Sequence, residues 1–205
     1  MPLEPLTAVG SIDGRYRTIA AELTEHFSEF GLIRKRLLVE CEYLVALSEA
    51  GIGMRTLINE EKAILQQLPN ISTEEANIVK KIEKEGYEGI PATNHDVKAI
   101  EYYIKKKLAG GSLKDVSEWV HFGLTSEDIN SVAYGMMLRG ALQAVMVPAL
   151  EEIRNFLLAT AKEHASTAML ARTHGQPATP TTYGKEMRVF ESRLARQIEQ
   201  LRARS

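Results

Sequence analysis

The chain has 205 residues and is poor in several features that mark common protein classes. Its single cysteine, Cys41, excludes an internal disulfide framework and a multi-cysteine metal site. A formal net charge of −2 is not the basic surplus that binding to a nucleic-acid backbone requires. No run approaches the roughly 18 apolar residues of a membrane span, and residues 1–5 lack the basic start and apolar core of a signal peptide. We therefore expect a soluble, cytoplasmic protein.

Several catalytic signatures are also missing. The five histidines lie far apart in the sequence and form no His-x-x-x-His pair, so we expect no zinc site. There is no Gly-x-Ser-x-Gly elbow, no Gly-x-Gly-x-x-Gly motif and no Walker loop. The sequence therefore indicates neither a serine hydrolase nor a nucleotide cofactor.

Apolar residues recur at spacings of three and four along most of the chain, which predicts an almost entirely helical, all-α protein. Ser72 and Glu75 form a capping-box pattern at one helix start, and Pro148 suits the first turn of another. In the first predicted helix the apolar stripe consists of Ile33, Leu37, Cys41, Leu44 and Leu47. In the later helices the period places Val132, Ile153 and Phe190 on the inward stripe. The predicted helices cover residues 31–50, 72–85, 97–108, 125–141, 148–161 and 183–201.

The most informative stretch runs from Leu170 to Pro180. It places His174 beside a guanidinium, a hydroxyl, an amide and a glycine, and a helical pattern begins shortly afterwards at Tyr183. A histidine next to hydroxyl and amide donors, ahead of a helix start, suits proton transfer to an anionic substrate. The alternative is a turn in which His174 only satisfies backbone groups.

Two motifs at predicted helix starts offer sites for an anion. Residues 93–96, Thr-Asn-His-Asp, place three polar side chains beside free backbone amides. Residues 121–128 place a histidine, a glycine and two hydroxyls at another helix start. Simple capping is the alternative in both cases. It would use Thr93 or Asn94 in the first motif, and it leaves His121 of the second without a role.

A glycine turn at residues 13–16, Asp-Gly-Arg-Tyr, offers a planar cation. The Arg15 guanidinium can donate two parallel hydrogen bonds to a phosphate or carboxylate. On this motif alone a plain surface turn is favoured. Three helix N-termini, each with a histidine within four residues, are harder to explain together as caps. Their donors suit a substrate that carries several carboxylates and a phosphate.

Taken together, these motifs resemble the fumarase/aspartase superfamily. Residues 172–180 and 124–130 are similar to two of its three sequence blocks. Residues 93–99 and 11–16 are similar to the adenylosuccinate lyases, the bacterial type, which are one branch of the superfamily. The same two segments speak against the carboxymuconate cycloisomerase branch, which is the alternative within the superfamily. The resemblance covers the chain from about Leu6 to its end.

The resemblance implies an all-α fold in two parts. Residues 1–124 would form the N-terminal helical domain, and residues 125–205 the beginning of the central domain of very long helices. In this family four subunits pack their central helices into one bundle, and each active site collects residues from three chains. We therefore expect a homotetramer with shared active sites.

The resemblance also implies a reaction. It is the β-elimination of fumarate from adenylosuccinate, giving AMP, and from SAICAR, giving AICAR, in purine biosynthesis. A base removes a proton from the carbon next to a carboxylate, and an acid protonates the departing nitrogen. No metal or organic cofactor is needed. The expected partners are these small-molecule substrates, and neither nucleic acid nor a membrane.

Carried over position by position, the resemblance makes His174 the general acid. His121 lies in a matching block without an assigned role. The substrate-binding positions are Arg15 and Tyr16 for the phosphate, Asn94, His95 and Asp96, Thr125 and Ser126 for the succinyl portion, and Thr173 and Gln176 beside the acid.

One departure from the family concerns the catalytic base. The third block, Ser-Ser-x-Met-Pro-x-Lys-x-Asn-Pro, carries the base serine in the family, and no such string occurs here. The last helical pattern continues through residues 202–205 without a stop signal, so we expect a fragment of a longer protein. The chain alone is then expected to be inactive. A helical interaction module without catalysis is the alternative of a different class.

Overall fold

The structure is a computed structural model that describes residues 7–204, and the interpretation of residues 1–5 lies outside them. Its contacts divide the chain into two compact units, one ending at Leu138 and the next beginning at Arg139. Short 3₁₀ segments occupy Ala21–Leu23 and Lys114–Trp119. The helices and strands are α1 (Thr24–Phe27), α2 (Glu29–Ala50), α3 (Asn59–Gln67), α4 (Thr73–Lys84), α5 (Asp96–Leu108), α6 (Ser126–Ala141), α7 (Val147–Glu163), β1 (Ala168–Thr173), β2 (Gln176–Thr182) and α8 (Tyr183–Arg202).

The core of the first unit is built around α2, which packs against α1, α3, α4 and α5. Ser28 caps α2 because its side chain accepts a hydrogen bond from the Gly31 N–H at 3.1 Å. Gly51, with φ 66°, adopts the left-handed backbone that ends the helix. The predicted apolar stripe is confirmed, since all five of its members are buried: Ile33, Leu37, Cys41, Leu44 and Leu47.

The capping box predicted for the start of α4 is present. The Ser72 hydroxyl accepts from the Glu75 N–H at 3.3 Å, and the Glu75 carboxylate accepts from the Ser72 N–H at 3.1 Å. Beyond this start, α4 and α5 bury their apolar faces in one core cluster with α2. This packing fixes the end of α4 close to the start of α5, where one of the predicted motifs lies.

A π-helical segment, Leu142–Met146, joins α6 directly to α7, so no loop separates the two predicted helices. Pro148 lies in the first turn of α7, as predicted. Proline has no N–H to give to the carbonyl four residues earlier, and its ring would collide with that carbonyl. A locally wider turn accommodates both effects without ending the helix.

The second unit is a helix pair, α7 and α8, with a β-hairpin between them in sequence. Gly184 allows the close approach, because a Cβ there would lie 2.4 Å from the Ala161 carbonyl oxygen. The buried carboxylate of Glu191 on α8 accepts a hydrogen bond from Arg154 on α7 at 2.9 Å, and Arg188 is a second partner. The pair is therefore joined by both backbone contact and charge.

The hairpin is the main departure from the helical prediction. Strands β1 and β2 pair antiparallel, with Thr173 opposite Gln176 and a bulge between Leu170 and Arg172. Only two residues form the turn. The sequence hid the hairpin because the turn is His-Gly instead of the usual Asn-Gly. A further prediction is wrong: α8 begins at Tyr183, as expected, and His174 therefore does not lie within four residues of a helix start.

Three apolar residues that the helical period turned inward are exposed instead. Val132 on α6 retains 51% of its accessible surface, Ile153 on α7 52% and Phe190 on α8 51%. Elsewhere on α6 the prediction holds, since Ile129 and Ala133 are buried. The period identifies the apolar side of a helix, but it does not say whether another element covers that side.

Candidate active site

The motif at residues 93–96 begins α5, and its histidine is the cap. His95 has extended backbone, and its Nδ1 accepts a hydrogen bond from the Lys98 N–H at 3.3 Å. The alternative interpretation, in which Thr93 or Asn94 caps the helix, is therefore wrong, because the cap is His95. A ring nitrogen that accepts cannot carry the proton in neutral histidine, so Nε2 carries it. His95, half exposed, offers that N–H to the surroundings.

The chain just before this cap is anchored to the end of α4. The Thr93 N–H donates to the Ile82 carbonyl at 3.0 Å, and the Asn94 N–H donates to the Glu83 carbonyl at 2.9 Å. Asn94 has φ 49°, a left-handed conformation that asparagine tolerates better than most residues. Its exposed amide is thus attached to a fixed backbone.

A buried arginine, Arg36 of α2, links this motif to α6. Its Nη2 donates to Asp96 at 2.6 Å and its Nε donates to Asn130 at 3.0 Å. Partial burial works against the charged form of Asp96, but the charge of Arg36, together with the hydrogen bonds from Arg36 and from the Val97 N–H, outweighs it, and the pKa of that carboxyl is lowered. Asp96 is therefore an ionised group that orients the start of α5 and keeps part of its carboxylate exposed.

The second motif is attached to the same helix. The Nδ1 of His121 lies 2.5 Å from Oε1 of Glu40, and the Tyr43 hydroxyl donates to the Phe122 carbonyl at 3.0 Å. Glu40 is completely buried on α2, and burial raises the pKa of its carboxyl. Two side chains of α2 therefore hold the turn that precedes α6.

Thr125 lies immediately before α6 and is engaged by Asp128. The Asp128 carboxylate accepts from the Thr125 N–H at 2.7 Å and from its hydroxyl at 2.9 Å. These bonds lower the pKa of Asp128. A ligand at this helix start would meet the oxygen of Thr125 as an acceptor, unless the hydroxyl turned away from Asp128. Ser126 is the first residue of α6 and is half-buried.

The two motifs therefore converge on one face of α2. Arg36 and Glu40 are four residues apart, which places them about 6 Å apart along one side of a helix. Arg36 contacts the start of α5, and Glu40 contacts the turn before α6. Sequence reasoning missed both residues. The sequence does contain a signal for them: Arg36 and Glu40 each adjoin a residue of the apolar stripe. A charged side chain at such a position is rarely buried without a partner.

Arg15 and Tyr16 lie apart from this arrangement. Both are exposed, and the Arg15 guanidinium lies 5.0 Å from the centre of the Tyr16 ring, a cation–π contact between neighbours. Gly14 donates its N–H to the Gly10 carbonyl at 3.0 Å, so the region is a turn. Among the described residues, no hydrogen bond or ion pair joins Arg15 to the α2 arrangement.

In the second unit His174 occupies the tip of the hairpin. His174 has φ 52° and Gly175 φ 76°, the backbone of a type I′ turn. The Thr173 hydroxyl lies 3.1 Å from Nδ1 of His174, so it restrains the ring. Gln176 pairs with Thr173 across the first rung of the hairpin. All four residues are exposed, which leaves the imidazole accessible to a ligand.

Backbone strain marks the predicted motifs. In residues 7–204 four residues other than glycine have positive φ, namely Glu88, Asn94, His121 and His174. Such conformations cost about 1–3 kcal/mol each, and they cluster at functional sites. Three of the four are predicted site residues. This agreement comes from the backbone and is independent of the motif comparison.

The predicted site residues lie outside the apolar groove of the first unit. None of the predicted site residues lines the apolar groove of about 520 Å³ that Ile64, Leu68 and Tyr103 help to form. Within the described chain, no three His, Cys, Asp or Glu side chains are grouped so as to hold a metal ion. Over the same residues, no helix has the length and apolar character needed to cross a membrane.

Comparison with known proteins identifies relatives over nearly the whole chain. A family model described as "Lyase" matches residues 14–205. The adenylosuccinate lyase of Legionella pneumophila (strain Corby) is 42% identical over 98% of this chain. The match covers 43% of that relative, so the chain spans less than half the length of the curated relatives it matches.

Two solved structures share the fold. A fumarate lyase from Mesorhizobium sp. BNC1 has a TM-score of 0.68 at 23% identity, covering 89% of this chain and 39% of its own. The 3-carboxy-cis,cis-muconate lactonizing enzyme of Pseudomonas putida has a TM-score of 0.67 at 24% identity, and the match covers 90% of this chain and 39% of that enzyme's chain. At these identities the likeness shows the fold alone. It confirms the all-α prediction and does not favour the cycloisomerase alternative.

Proposed function

The chain belongs to the lyase family of the fumarase/aspartase superfamily, and on that premise we propose that it is the N-terminal part of an adenylosuccinate lyase. The reaction is the elimination of fumarate from adenylosuccinate, giving AMP, and from SAICAR, giving AICAR. The observation that carries the proposal is the strained backbone at Asn94, His121 and His174. Left-handed backbone at residues other than glycine clusters at functional sites, so its presence in three separate motifs supports a substrate site there.

His174 is the general acid in this proposal. When the bond between carbon and the purine nitrogen breaks, its electron pair goes to the nitrogen, and His174 supplies the proton. Histidine is the side chain that most often serves as a general acid or base at neutral pH. The hydroxyl of Thr173 beside Nδ1 restrains the ring, so that Nε2 is the nitrogen that delivers the proton. Gln176 contributes an amide next to it.

The remaining motif residues bind an anionic substrate. Arg15 and Tyr16 form the phosphate contact, because a guanidinium matches two phosphate oxygens at once. Asn94 and His95 donate from the start of α5, and Asp96 keeps that start oriented through Arg36. Two further positions, at the N-terminus of α6, contact the succinyl portion: Thr125 and Ser126.

The catalytic base is not among the 205 residues. The family places it on a serine in a third block, and this sequence contains no matching string. We therefore expect no turnover from the chain alone. The proton next to the substrate carboxylate would be removed by a residue from a segment beyond this chain.

We further propose a cytoplasmic homotetramer whose active sites are shared between subunits. Apolar side chains on the helix pair support a larger assembly, since Ile153, Phe156 and Phe190 retain 52%, 69% and 51% of their surface. The proposed domain division, 1–124 and 125–205, is also part of this account. It places all of α6 in the bundle, whereas the contacts within this chain assign α6 up to Leu138 to the first unit.

The test uses a completed protein, in which the 205-residue chain is joined to the part of its Legionella pneumophila relative beyond the matched region. Fumarate release is followed by ultraviolet absorbance with adenylosuccinate, with SAICAR and with carboxymuconate. We expect turnover of the first two substrates and none from the 205-residue chain alone.

Two outcomes would contradict the proposal. One is a well-folded completed protein that acts on carboxymuconate and not on adenylosuccinate. The other is a robust turnover of adenylosuccinate by the 205-residue chain, which would show that the base lies within it. The control is His164→Ala. His164 lies in the same unit as His174 but in none of the motifs, so this variant should keep turnover close to that of the parent.

A further inference from the structure

The pair formed by Glu40 and His121 is not explained by the fold alone. Glu40 is completely buried among the apolar residues of α2, beside Leu37 and Cys41. One carboxyl oxygen lies 2.5 Å from Nδ1 of His121. The other, Oε2, is buried and has no hydrogen-bond partner within residues 7–204. Burying a carboxyl group with one oxygen that lacks a hydrogen bond costs folding free energy. The position therefore favours an apolar side chain unless the carboxyl group has a function.

Anchoring the turn before α6 is not a sufficient use. The Tyr43 hydroxyl, one helical turn further along α2, already holds that turn through the Phe122 carbonyl at 3.0 Å. The backbone at His121 is left-handed, with φ 64°, a conformation that glycine or asparagine would adopt at lower cost. Retaining histidine there suggests that the ring itself is needed. The hydrogen bond of Glu40 to Nδ1 of this ring, at 2.5 Å, is therefore a contact that the anchoring by Tyr43 does not replace.

The contact determines which ring nitrogen carries a proton. An ionised carboxylate can only accept a hydrogen bond, so its contact with Nδ1 at 2.5 Å requires that the proton lie on Nδ1. Burial raises the pKa of Glu40, and Glu101 on α5 adds to this rise, whereas the bond to His121 opposes it. Asp128, near the start of α6, is a further carboxylate that acts on His121; hydrogen bonds from Thr125 are the main cause of its lowered pKa, and His121 makes a smaller contribution.

We propose that Glu40 is a positioning residue that keeps Nδ1 of His121 protonated, so that Nε2 is the nitrogen through which His121 exchanges a proton with a bound substrate. The proposal rests on the proposed function, because that function places a substrate at this motif. It also distinguishes the two motif histidines of the first unit, His95 and His121. His95 presents a protonated Nε2 and acts as a donor, whereas neutral His121 presents an unprotonated Nε2 and acts as an acceptor.

The first test is spectroscopic and uses the 205-residue chain as it is. Long-range proton–nitrogen correlation spectra report which ring nitrogen of each of the five histidines is protonated, and His121→Asn identifies the signals of His121. We expect Nδ1 of His121 to stay protonated throughout a pH titration while Nε2 gains and loses its proton. A neutral His121 with a bare Nδ1 and a protonated Nε2 would overturn the proposal.

Three variants separate positioning from structural support. Glu40→Gln keeps an oxygen that accepts from Nδ1, so the pattern should persist, whereas Glu40→Leu should release the tautomer. Tyr43→Phe removes the other anchor of the same turn and should leave the pattern unchanged. An unchanged pattern in a folded Glu40→Leu chain would contradict the proposal. If that variant does not fold, the parent chain and Glu40→Gln still decide the question.

The second test measures turnover of adenylosuccinate by the completed protein. Glu40→Leu should lower kcat about 10–100-fold, a part of what a positioned acid or base contributes, with KM changed less. Glu40→Gln should recover most of that loss, and a failure to recover would contradict the proposal. The lyase function and the positioning role of Glu40 can fail separately. If the completed protein shows no lyase activity, the protonation pattern of His121 still tests the role of Glu40.

Discussion

Replacing Arg36 with methionine should destabilise the first unit far more than an exposed arginine on the same helix does. The Arg36 side chain is 3% exposed and donates to Asp96 and Asn130 from the middle of the core. Methionine fills much of the aliphatic volume but provides no donor. The start of α5 and the beginning of α6 would then lose the side chain that joins them.

The magnitude follows from the two contacts. A hydrogen bond that involves a charged group contributes about 1.5–3 kcal/mol. The Asp96 side chain is 44% exposed, so water can replace part of the lost hydrogen bond from Arg36. The contribution of that bond to stability therefore falls to about 1 kcal/mol. The hydrogen bond from Nε of the buried Arg36 side chain to Asn130 is counted at its full share. The sum is a loss of about 2.5–4 kcal/mol in the free energy of unfolding.

The loss should also depend on pH, and its sign is determined by Asp96. Arg36 lowers the pKa of Asp96 in the folded state. A carboxyl with a lowered pKa contributes stability above its unfolded pKa of about 3.9, and that stability disappears as the pH falls through the folded value. The difference in the free energy of unfolding between parent and variant should therefore have its full size at pH 7 and should become smaller below about pH 4.

Urea unfolding followed by the fluorescence of Trp119 measures this effect, because the single tryptophan of the chain lies in the first unit. Arg34→Met is the matched control. Arg34 lies on α2 too, but its ion pair with Glu25 is exposed, so its loss should cost less than about 1 kcal/mol. Equal losses in the two variants, or a loss for Arg36→Met that does not change with pH, would refute the reasoning.

Two further predictions concern packing and binding. Gly184→Ala forces a Cβ to within 2.4 Å of the Ala161 carbonyl and should destabilise the helix pair by about 1–3 kcal/mol, whereas Gly135→Ala, with nothing within 4 Å, should stabilise α6 by about 0.5–1 kcal/mol. Thermal unfolding followed by circular dichroism compares the two, and equal signs would contradict the account. Arg15→Ala in the completed protein should raise KM about 10-fold or more with kcat little changed, since phosphate binding is the same in ground and transition states. An unchanged KM would remove Arg15 from the site.

The sequence predicts the helices well because their signals are local. The capping box at Ser72, the apolar stripe of α2 and the proline in the first turn of α7 depend on residues within a few positions of each other. The hairpin was missed because histidine is an unusual residue for the first position of its turn. Its left-handed backbone is stabilised by pairing along β1 and β2, and not by a residue that prefers it.

The site was predicted in part for a related reason. The motif residues are exposed and chemically distinctive, and sequence alone shows them. Arg36 and Glu40 are 60 and 81 positions away from Asp96 and His121, so only the folded chain shows that these residues pair. The exposed side of α7 and α8 marks a second limit, because the period gives an apolar side but does not identify what covers it.

The most direct test of the central claim is complementation between two inactive variants of the completed protein. One carries His174→Ala and lacks the acid, and the other carries alanine at the serine of the supplied third block and lacks the base. Each alone should release fumarate at least about 100-fold more slowly than the parent. After the two are mixed, unfolded and refolded together, we predict turnover well above the sum of the separate variants, because a shared site can combine one intact histidine with one intact serine. Turnover near the parent level by the His174→Ala protein alone, or no gain on mixing, would contradict the account.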